Sequence, residues 1–170
     1  YRKKTVAVVG GGDTACEEAS YLSNLADKVY MIVRKDYLRA SKVMQRRVME
    51  NQKIEIFFNT NTVGLFGDAK VEGAHLVRFK GTDREETFDI AIDGFFLGIG
   101  HRPNTDIFAN QIALDEQGYI KTDGVTTATN IPGVFAAGDV ADPRYRQAIT
   151  SAGMGCKAAL DAERFLVEQE

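Results

Sequence analysis

The sequence is poor in residues that carry thiol, imidazole or metal chemistry. It contains two cysteines and two histidines among 170 residues. Cys16 and Cys156 are too far apart in sequence to form a Cys-x-x-Cys pair, and both are flanked by helical patterns. We interpret both as buried small hydrophobic residues of a protein in a reducing compartment. The sequence therefore predicts no catalytic thiol and no metal site in this chain.

Long apolar runs and blocks of a single charge are also missing. No apolar run approaches the roughly 20 residues that cross a bilayer, and the opening Tyr-Arg-Lys-Lys leads into a short strand instead of a signal peptide. The formal net charge is -3, with acidic and basic residues interleaved along the chain. That balance gives no basic surface for nucleic acid or for an anionic membrane. We therefore expect a cytoplasmic protein that binds neither.

The bulk composition is that of a globular protein. Hydrophobic residues make up 44% of the chain and charged residues 26%, values that are typical of soluble domains and not of disordered or membrane chains. The length allows one domain or two small ones. Because the chain opens almost directly on a strand and closes on a charged helix end, we interpret it as a fragment of a longer protein.

A β-α-β pattern opens the chain. Residues 5–9 form a continuous, largely β-branched run, which indicates a strand buried on both faces of a parallel sheet. Three glycines end this strand, and apolar residues then recur at helical spacing over residues 13–26. A second strand is predicted at residues 28–33. A second helix at about 41–50 and a third strand at 54–58 extend the same unit.

The pattern changes in the middle of the chain. Over residues 62–92 short alternating stretches (70–79 and 86–92) predict an antiparallel meander covering one face of the sheet. A buried strand returns within residues 93–100, and its glycines and Pro103 indicate a domain boundary. Beyond the boundary the sequence predicts a turn-rich segment at 104–133, a strand at 134–137 and a helix at about 147–167. The predicted fold is α/β in two domains, 1–100 and 101–170.

The glycine-rich turn after the first strand matches a dinucleotide-binding pattern. The run Gly10-Gly11-Gly12-Asp13-Thr14-Ala15 satisfies G-x-G-x-x-G/A between a strand and a helix. In such a turn Gly10 allows the tight bend, Gly12 lets backbone N–H groups approach a pyrophosphate, and Ala15 lets the helix pack closely on the strand. The alternative is a strand-to-helix turn that binds nothing.

Basic residues at the end of the second strand indicate which nucleotide is bound. NAD-binding units place an acid at this position to accept hydrogen bonds from the ribose 2'-hydroxyl, whereas this chain has Arg34, Lys35 and Arg39. Three cations can converge on a 2'-phosphate, and arginine forks match phosphate oxygens. The pattern favours NADPH. The alternative is a solvated surface charge run.

A second motif lies near the end of the chain and carries a family resemblance. The segment 129–139, Thr-Asn-Ile-Pro-Gly-Val-Phe-Ala-Ala-Gly-Asp, resembles the second FAD fingerprint of flavoproteins with two dinucleotide-binding domains; the alternative is an ordinary exit from a strand. The segment 145–153, Tyr-Arg-Gln-Ala-Ile-Thr-Ser-Ala-Gly, is similar to the pattern of the low-molecular-weight thioredoxin reductases. Matches at residues 10–18, 21–25, 98–105 and 118–120 extend the resemblance over essentially the whole chain.

The resemblance implies a set of cofactor contacts. It implies a Rossmann-like NADPH domain with three layers, followed by the C-terminal part of a split FAD-binding domain. On the NADPH side it adds Ile99, Gly100 and Glu17, although Glu17 is equally well read as part of a solvated helix face. On the FAD side it implies the contact residues Gly138, Asp139, Val140, Arg146, Gln147 and Ala148.

The implied activity is that of an NADPH-dependent flavoprotein that reduces the disulfide of thioredoxin as a homodimer. The family's Cys-x-x-Cys and first FAD motif would lie upstream of Tyr1, and neither His75 nor His101 matches the catalytic histidine of the high-molecular-weight relatives. We therefore expect this chain alone to be inactive. Three alternatives stay open: the flavoprotein of alkyl hydroperoxide reductase, a ferredoxin/flavodoxin-NADP reductase, and a non-catalytic nucleotide-binding module.

Overall fold

The computed structural model describes residues 1–169, and the chain divides into two compact units, one of residues 1–100 and one from residue 101 onward. In chain order the elements are β1 (Thr5–Val9), α1 (Asp13–Ser23), β2 (Lys28–Ile32), α2 (Lys42–Met49), β3 (Ile54–Phe57), β4 (Thr60–Phe66), β5 (Gly73–Arg78), β6 (Glu86–Ala91), β7 (Gly94–Leu97) and α3 (Ala148–Val167). Short 3-10 turns lie at Asp106–Phe108 and Gly138–Val140. Across residues 1–169 no helix has the length and apolar character that crossing a bilayer requires.

The first unit is built in three layers. Its central sheet is parallel in the order β3-β2-β1-β7, so the carboxyl ends of all four strands lie at one edge. On one face Val6 and Val8 pack with α1 and α2, and on the other face Ala7 and Ile32 pack with the second sheet. Burial on both faces explains the unbroken apolar sequence of β1. The predicted α/β class, with a parallel sheet and an antiparallel meander, is confirmed.

The meander has three strands, one more than the sequence pattern indicated. β4, β5 and β6 pair antiparallel in that order, and β4 carries a bulge between Thr62 and Gly64. Because of this bulge, Thr62 pairs with Leu76 and Leu65 pairs with Ala74, so Thr62 and Leu65 point to the same face. Alternation breaks at the extra residue, which is why the period-2 pattern did not reveal β4.

The start of α1 lies unusually close to the central sheet. A Cβ atom added at Gly98 would lie 2.7 Å from the Cα atom of Ala15, and one added at Gly10 would overlap the carbonyl oxygen of Gly98. Gly10 also has φ +140, a region that L side chains rarely adopt. Gly10 and Gly98 have no side chain and Ala15 has only a methyl group. These three small residues therefore set the distance between α1 and the ends of β1 and β7.

One predicted helix and one predicted strand differ from the structure by more than a single residue. The helix predicted to residue 26 ends at Ser23, because the N–H groups of Leu25 and Ala26 both donate to the carbonyl of Leu22 in a tightened last turn; Ala26 nevertheless stays fully buried. The strand predicted at 134–137 is wrong, since the described residues form only an isolated bridge between Ala128 and Phe135 there. A strand needs a neighbour to form a ladder, and for residues 134–137 the described part of the chain supplies only the bridge from Ala128.

The second unit is held together by side-chain contacts to α3. The carboxylate of Asp161 accepts hydrogen bonds from the backbone N–H of Thr127 at 2.9 Å and from its hydroxyl at 2.8 Å. The rings of Phe135 and Phe165 meet edge to face with centroids 6.2 Å apart. Among the described residues no side chain of α3 is fully buried, and Cys156 is exposed. The prediction of a buried Cys156 is therefore wrong, whereas Cys16 is buried as expected.

Hydrogen-bonded aspartates in both units lead us to expect that acid destabilises the fold. The Lys4 ammonium and the Thr5 N–H hold the pKa of Asp93 below its usual value, and the Thr127 N–H and hydroxyl do so for Asp161. A carboxyl whose folded-state pKa is lowered stabilises the fold fully above its unfolded pKa of about 4, and this stabilisation is lost as the pH falls through the folded value. We expect circular dichroism to report constant stability from about pH 7 to 5 and unfolding below about pH 4.

An Asp161→Asn variant tests the origin of that sensitivity. It should be less stable at neutral pH and should lose less stability on acidification than the unmodified chain. Asp83→Asn, on the exposed turn between β5 and β6, is the matched control and should follow the unmodified chain at every pH. Equal acid sensitivity of the Asp161→Asn variant and the unmodified chain would contradict the assignment.

The contact between α1 and the sheet predicts that Gly98→Ala destabilises the first unit by about 1–3 kcal/mol, because the added methyl group meets backbone atoms that cannot rotate away. Gly12→Ser is the control: Gly12 has φ -95, a Cβ there meets nothing within 4 Å, and serine is a favourable residue at a helix N-cap. Urea unfolding followed by circular dichroism measures both variants. The prediction is wrong if Gly98→Ala is as stable as Gly12→Ser.

Candidate nucleotide-binding site

A cleft of about 870 Å³ opens at the carboxyl ends of the parallel strands in the first unit. Ligand pockets in proteins measure roughly 300–1,000 Å³, and in open α/β sheets they lie at this edge. Four segments line the cleft: the glycine turn, the loop after β2, strand β4 and the segment after β7. The main lining residues are Gly10, Gly11, Gly12, Thr14, Arg34, Lys35, Tyr37, Arg39, Thr60, Asn61, Thr62, Gly64, Leu65, Leu97, Gly98, Ile99 and Gly100.

The glycine turn forms the floor of the cleft at the start of α1. Gly12 is the N-cap residue of α1, and no side-chain hydrogen bond caps this end of the helix. The first N–H groups of a helix have no partner within it and carry a partial positive charge, so they favour an anion. The space where a Gly12 side chain would project is open. An anionic group can therefore approach the backbone here, as a pyrophosphate requires.

The loop after β2 is tied to the glycine turn through backbone groups. The N–H of Arg39 donates to the carbonyl of Gly11 at 2.6 Å, and the N–H of Ser41 donates to the carboxylate of Asp13 at 2.9 Å. The second contact holds the pKa of Asp13 below its usual range. The Gln45 amide donates to two further carbonyls of the loop. These bonds fix the backbone of the loop and leave its long side chains free.

Three cations of this loop line the cleft. Arg34, Lys35 and Arg39 are exposed, and within the described part of the chain none of them forms an ion pair with a carboxylate. The charge that they bring together is therefore available to an external anion. The three cations, the open position at Gly12 and the size of the cleft together fit a phosphorylated dinucleotide.

Strand β4 forms a wall of the cleft that the sequence did not predict. Its lining residues run from Thr60 to Leu65, and the bulge turns Thr62 and Leu65 to the same face. The hydroxyl of Thr62 is buried without a hydrogen-bond partner among the described residues. Tyr37, which is 54% exposed in the loop after β2, also lines the cleft and was not predicted from the sequence. The one signal for β4 was the polar Asn-Thr-Asn-Thr run at 59–62, directly after a buried strand.

Three residues of the predicted nucleotide motif lie outside the cleft lining. Asp13 holds the start of α2 through the N–H of Ser41. Ala15 is fully buried beneath Gly10 and Gly98. Glu17 is exposed on α1. The structure thus brings together Gly10–Gly12, Thr14, the three cations, Ile99 and Gly100, and gives Asp13 and Ala15 supporting positions behind them.

The predicted FAD residues come together in the second unit. Gly138 has φ +77 and leads the turn Gly138–Val140. The hydroxyl of Ser151, in the first turns of α3, donates to the carboxylate of Asp139 at 3.1 Å. This bond places the turn beside the N-terminus of α3, where Gln147 is the N-cap residue and Ala148 begins the helix. Asp139, Gln147 and Ala148 all retain solvent-accessible surface.

The buried cysteine of α1 is not an activated thiol. Burial, followed by the charges of Asp13 and Glu17, raises the pKa of Cys16 to about 11, so this thiol stays protonated at neutral pH. Among residues 1–169 no group of three or more His, Cys, Asp or Glu residues is arranged to hold a metal ion.

Known proteins that resemble the chain agree with this description. Among curated proteins, the mitochondrial thioredoxin reductase of Kluyveromyces lactis is 55% identical over 170 residues, covering 100% of this chain and 48% of the relative. Thioredoxin reductase 1 of Saccharomyces cerevisiae is 53% identical over 170 residues and is covered to 53%. The chain thus spans about half the length of the curated relatives it matches.

Solved structures give the same result. Thioredoxin reductase from Giardia duodenalis superposes with a TM-score of 0.79 at 43% identity, over 98% of this chain and 54% of that one. Thioredoxin reductase from Streptococcus pyogenes gives 0.84 at 34% identity, over 99% and 54%. The family model described as pyridine nucleotide-disulphide oxidoreductase matches residues 1–155. This match covers most of the chain and agrees with the α/β fold and with the cleft at the sheet edge, so the chain belongs to the pyridine nucleotide-disulphide oxidoreductase family.

Proposed function

We propose that this chain is the NADPH-binding part, with a portion of the FAD site, of a flavoprotein that reduces the disulfide of thioredoxin. The observation that carries the proposal is the cleft in which Arg34, Lys35 and Arg39 stand beside an open glycine turn. Relatives named thioredoxin reductase, 51–55% identical over all 170 residues, support it. Residues 1–100 would be the NADPH domain and residues 101–170 the C-terminal portion of the FAD domain.

In the NADPH site each lining segment has its own role. The backbone of Gly10–Gly12 and the N-terminus of α1 would hold the pyrophosphate, with Thr14 beside them. Arg34, Lys35 and Arg39 would hold the 2'-phosphate, with the arginine forks each offering two hydrogen bonds. Ile99 and Gly100 would pack against the nucleotide from the end of β7. Asp13 and Ala15 would support the site from behind, and Glu17 would face the nicotinamide.

In the FAD site the second unit supplies one side. The carboxylate of Asp139 would accept hydrogen bonds from the ribityl chain, Gly138 would allow close approach of the backbone, and Val140 would lie beside them in the same turn. Arg146, Gln147 and Ala148 would lie against the isoalloxazine and the diphosphate at the start of α3, where the helix dipole favours negative charge. When bound, NADPH would supply a hydride and FAD would carry the electron pair on to a disulfide.

The rest of the reaction would depend on segments beyond this chain. We propose that the dithiol and the first FAD motif precede Tyr1, that the partner is thioredoxin, and that the protein acts as a homodimer. We propose a cytoplasmic location. Three of the similar proteins are named mitochondrial, so fractionation of cells that express the tagged full-length protein is the test of the compartment.

The experiment that tests the function uses the full-length protein. Purified protein should carry FAD, visible as flavin absorbance, and should oxidise NADPH only when oxidised thioredoxin is present. Peroxide with a peroxiredoxin, and oxidised ferredoxin or flavodoxin, serve as competing acceptors in parallel assays. Preference for either competing acceptor would overturn the thioredoxin proposal, and NADPH binding without any electron transfer would point to a non-catalytic module.

We predict that the cations set the preference for NADPH over NADH. Arg34→Ala or Arg39→Ala should each weaken NADPH binding about tenfold while NADH binding stays within about twofold, because only NADPH carries the 2'-phosphate. Dissociation constants from fluorescence titration of the full-length protein provide the measurement. Arg47→Ala, which removes the same charge from the exposed surface of α2, is the control. Equal losses for the two nucleotides would contradict the role of the cations.

We also predict that residues 1–170 alone bind NADPH weakly, bind FAD poorly and reduce no disulfide. The reason is that the proposed FAD site is one-sided and Cys16 is buried and protonated. Absorbance spectroscopy of the purified chain is the measurement. Stoichiometric flavin absorbance in residues 1–170 would contradict this prediction.

A further inference from the structure

The carboxylate of Asp142 accepts hydrogen bonds from three backbone N–H groups just before α3. Its Oδ1 accepts from the N–H of Arg144 at 2.9 Å and from the N–H of Tyr145 at 2.9 Å. Its Oδ2 accepts from the N–H of Arg146 at 3.1 Å. Asp142 is buried, with 7% of its surface exposed. A buried carboxylate that accepts three N–H bonds strongly favours its charged form, and the same contacts hold its pKa below the usual value.

The segment that Asp142 holds is conformationally strained. Arg146 has φ +51, the left-handed region that residues other than glycine rarely adopt. Such a conformation is unfavourable for a residue with a side chain and persists only where the surrounding structure enforces it. Asp142 is the group that bonds the N–H of Arg146 directly. The hydrogen bonds to its carboxylate therefore offset the strain at Arg146.

The strained residue determines where α3 begins. Gln147, the next residue, has extended backbone and is the N-cap of α3. Its N–H donates to the hydroxyl of Thr150 at 3.2 Å, and that hydroxyl donates back to the Gln147 carbonyl at 2.8 Å. A change of φ at Arg146 would redirect the chain immediately before this cap. The placement of Gln147 and Ala148 thus depends on the conformation of Arg146.

Asp142 is itself anchored to the other half of the proposed flavin site. Its N–H donates to the carbonyl of Gly138 at 2.9 Å, and Gly138 begins the turn that carries Asp139. The Ser151 hydroxyl closes the loop from α3 back to Asp139. Asp142 therefore connects two segments: its backbone N–H bonds the Gly138–Val140 turn, and its carboxylate bonds the residues just before α3. These are the two segments that would contact FAD.

We propose that Asp142 is a positioning residue for the flavin: it fixes the left-handed turn at Arg146 and so presets Gln147 and Ala148 against the isoalloxazine. This inference rests on the proposed function, because it requires that the full-length protein binds FAD. Asp142 itself would not touch the cofactor. It acts by holding the backbone in the conformation that binding requires, so that this ordering is not a cost of binding.

The test compares Asp142→Asn with Asp161→Asn in the full-length protein. The asparagine would keep the size of the side chain but lose the charge and one acceptor oxygen. Asp161 is the matched control: it also anchors backbone in the second unit, with bonds of 2.8–2.9 Å to Thr127. We expect both variants to have a lower melting temperature. Only Asp142→Asn should weaken FAD binding, by about tenfold, and alter the visible circular dichroism of the bound flavin.

A second variant separates strain from simple loss of stability. Glycine adopts positive φ without the cost that other residues incur. In an Arg146→Gly background, Asp142→Asn should therefore weaken FAD binding by less than about threefold, whereas in the native background the loss is about tenfold. This pair also keeps the test decisive if Asp142→Asn alone fails to fold, because the double variant carries no strain at residue 146.

The outcomes distinguish failure of the inference from failure of the proposed function. If the unmodified full-length protein binds no FAD, the proposed function is overturned together with this role. If it binds FAD and Asp142→Asn matches Asp161→Asn in FAD affinity and flavin circular dichroism, Asp142 is only a structural anchor and the inference is overturned. An equal loss in the native and Arg146→Gly backgrounds would also overturn it.

Discussion

The contact of α1 with the carboxyl ends of β1 and β7 is the constraint on which the cleft at the sheet edge depends. Gly98 faces the backbone of Ala15 so closely that a methyl group would not fit between them, and Gly10 lies against the carbonyl of Gly98. This spacing brings the N-terminus of α1 down to the sheet edge, where its unpaired N–H groups face the cleft. The short distance between α1 and the sheet therefore determines both the packing in the core and the position of the N–H groups that could bind an anion at the surface.

The loop after β2 holds the flexible side chains of Arg34, Lys35 and Arg39 close to the cleft. Arginine and lysine side chains lose considerable rotamer entropy when they are held in one place. Here hydrogen bonds fix the backbone of the loop instead of the side chains. The N–H of Arg39 donates to the carbonyl of Gly11, and the N–H of Ser41 donates to the carboxylate of Asp13. The cations stay exposed, close to the site where a phosphate would sit. A ligand would then order only the last few bonds of each side chain.

Hydrogen bonds to carboxylates stabilise the second unit, whereas a packed sheet stabilises the first. Its core is small, α3 has no fully buried side chain among the described residues, and isolated bridges replace strands. Asp161 anchors the middle of α3 to Thr127, and Asp142 fixes the turn before the helix. Charge-assisted bonds to backbone N–H groups are directional. They can therefore specify a conformation that apolar contacts of this extent would leave undefined.

Local sequence determined the parts of this protein whose interactions are local. The run of β1, Gly10–Gly12 and α1, and the cations after β2, were readable because a strand, a tight turn and a helix impose their patterns on neighbouring residues. Tertiary structure alone decided the β4 wall, since a bulge at Val63 breaks the alternation and turns Leu65 to the face of Thr62. It also decided that 134–137 forms only an isolated bridge and that Cys156 is exposed. A ladder and a buried face both need a partner that is distant in sequence, and no local pattern records whether that partner is present.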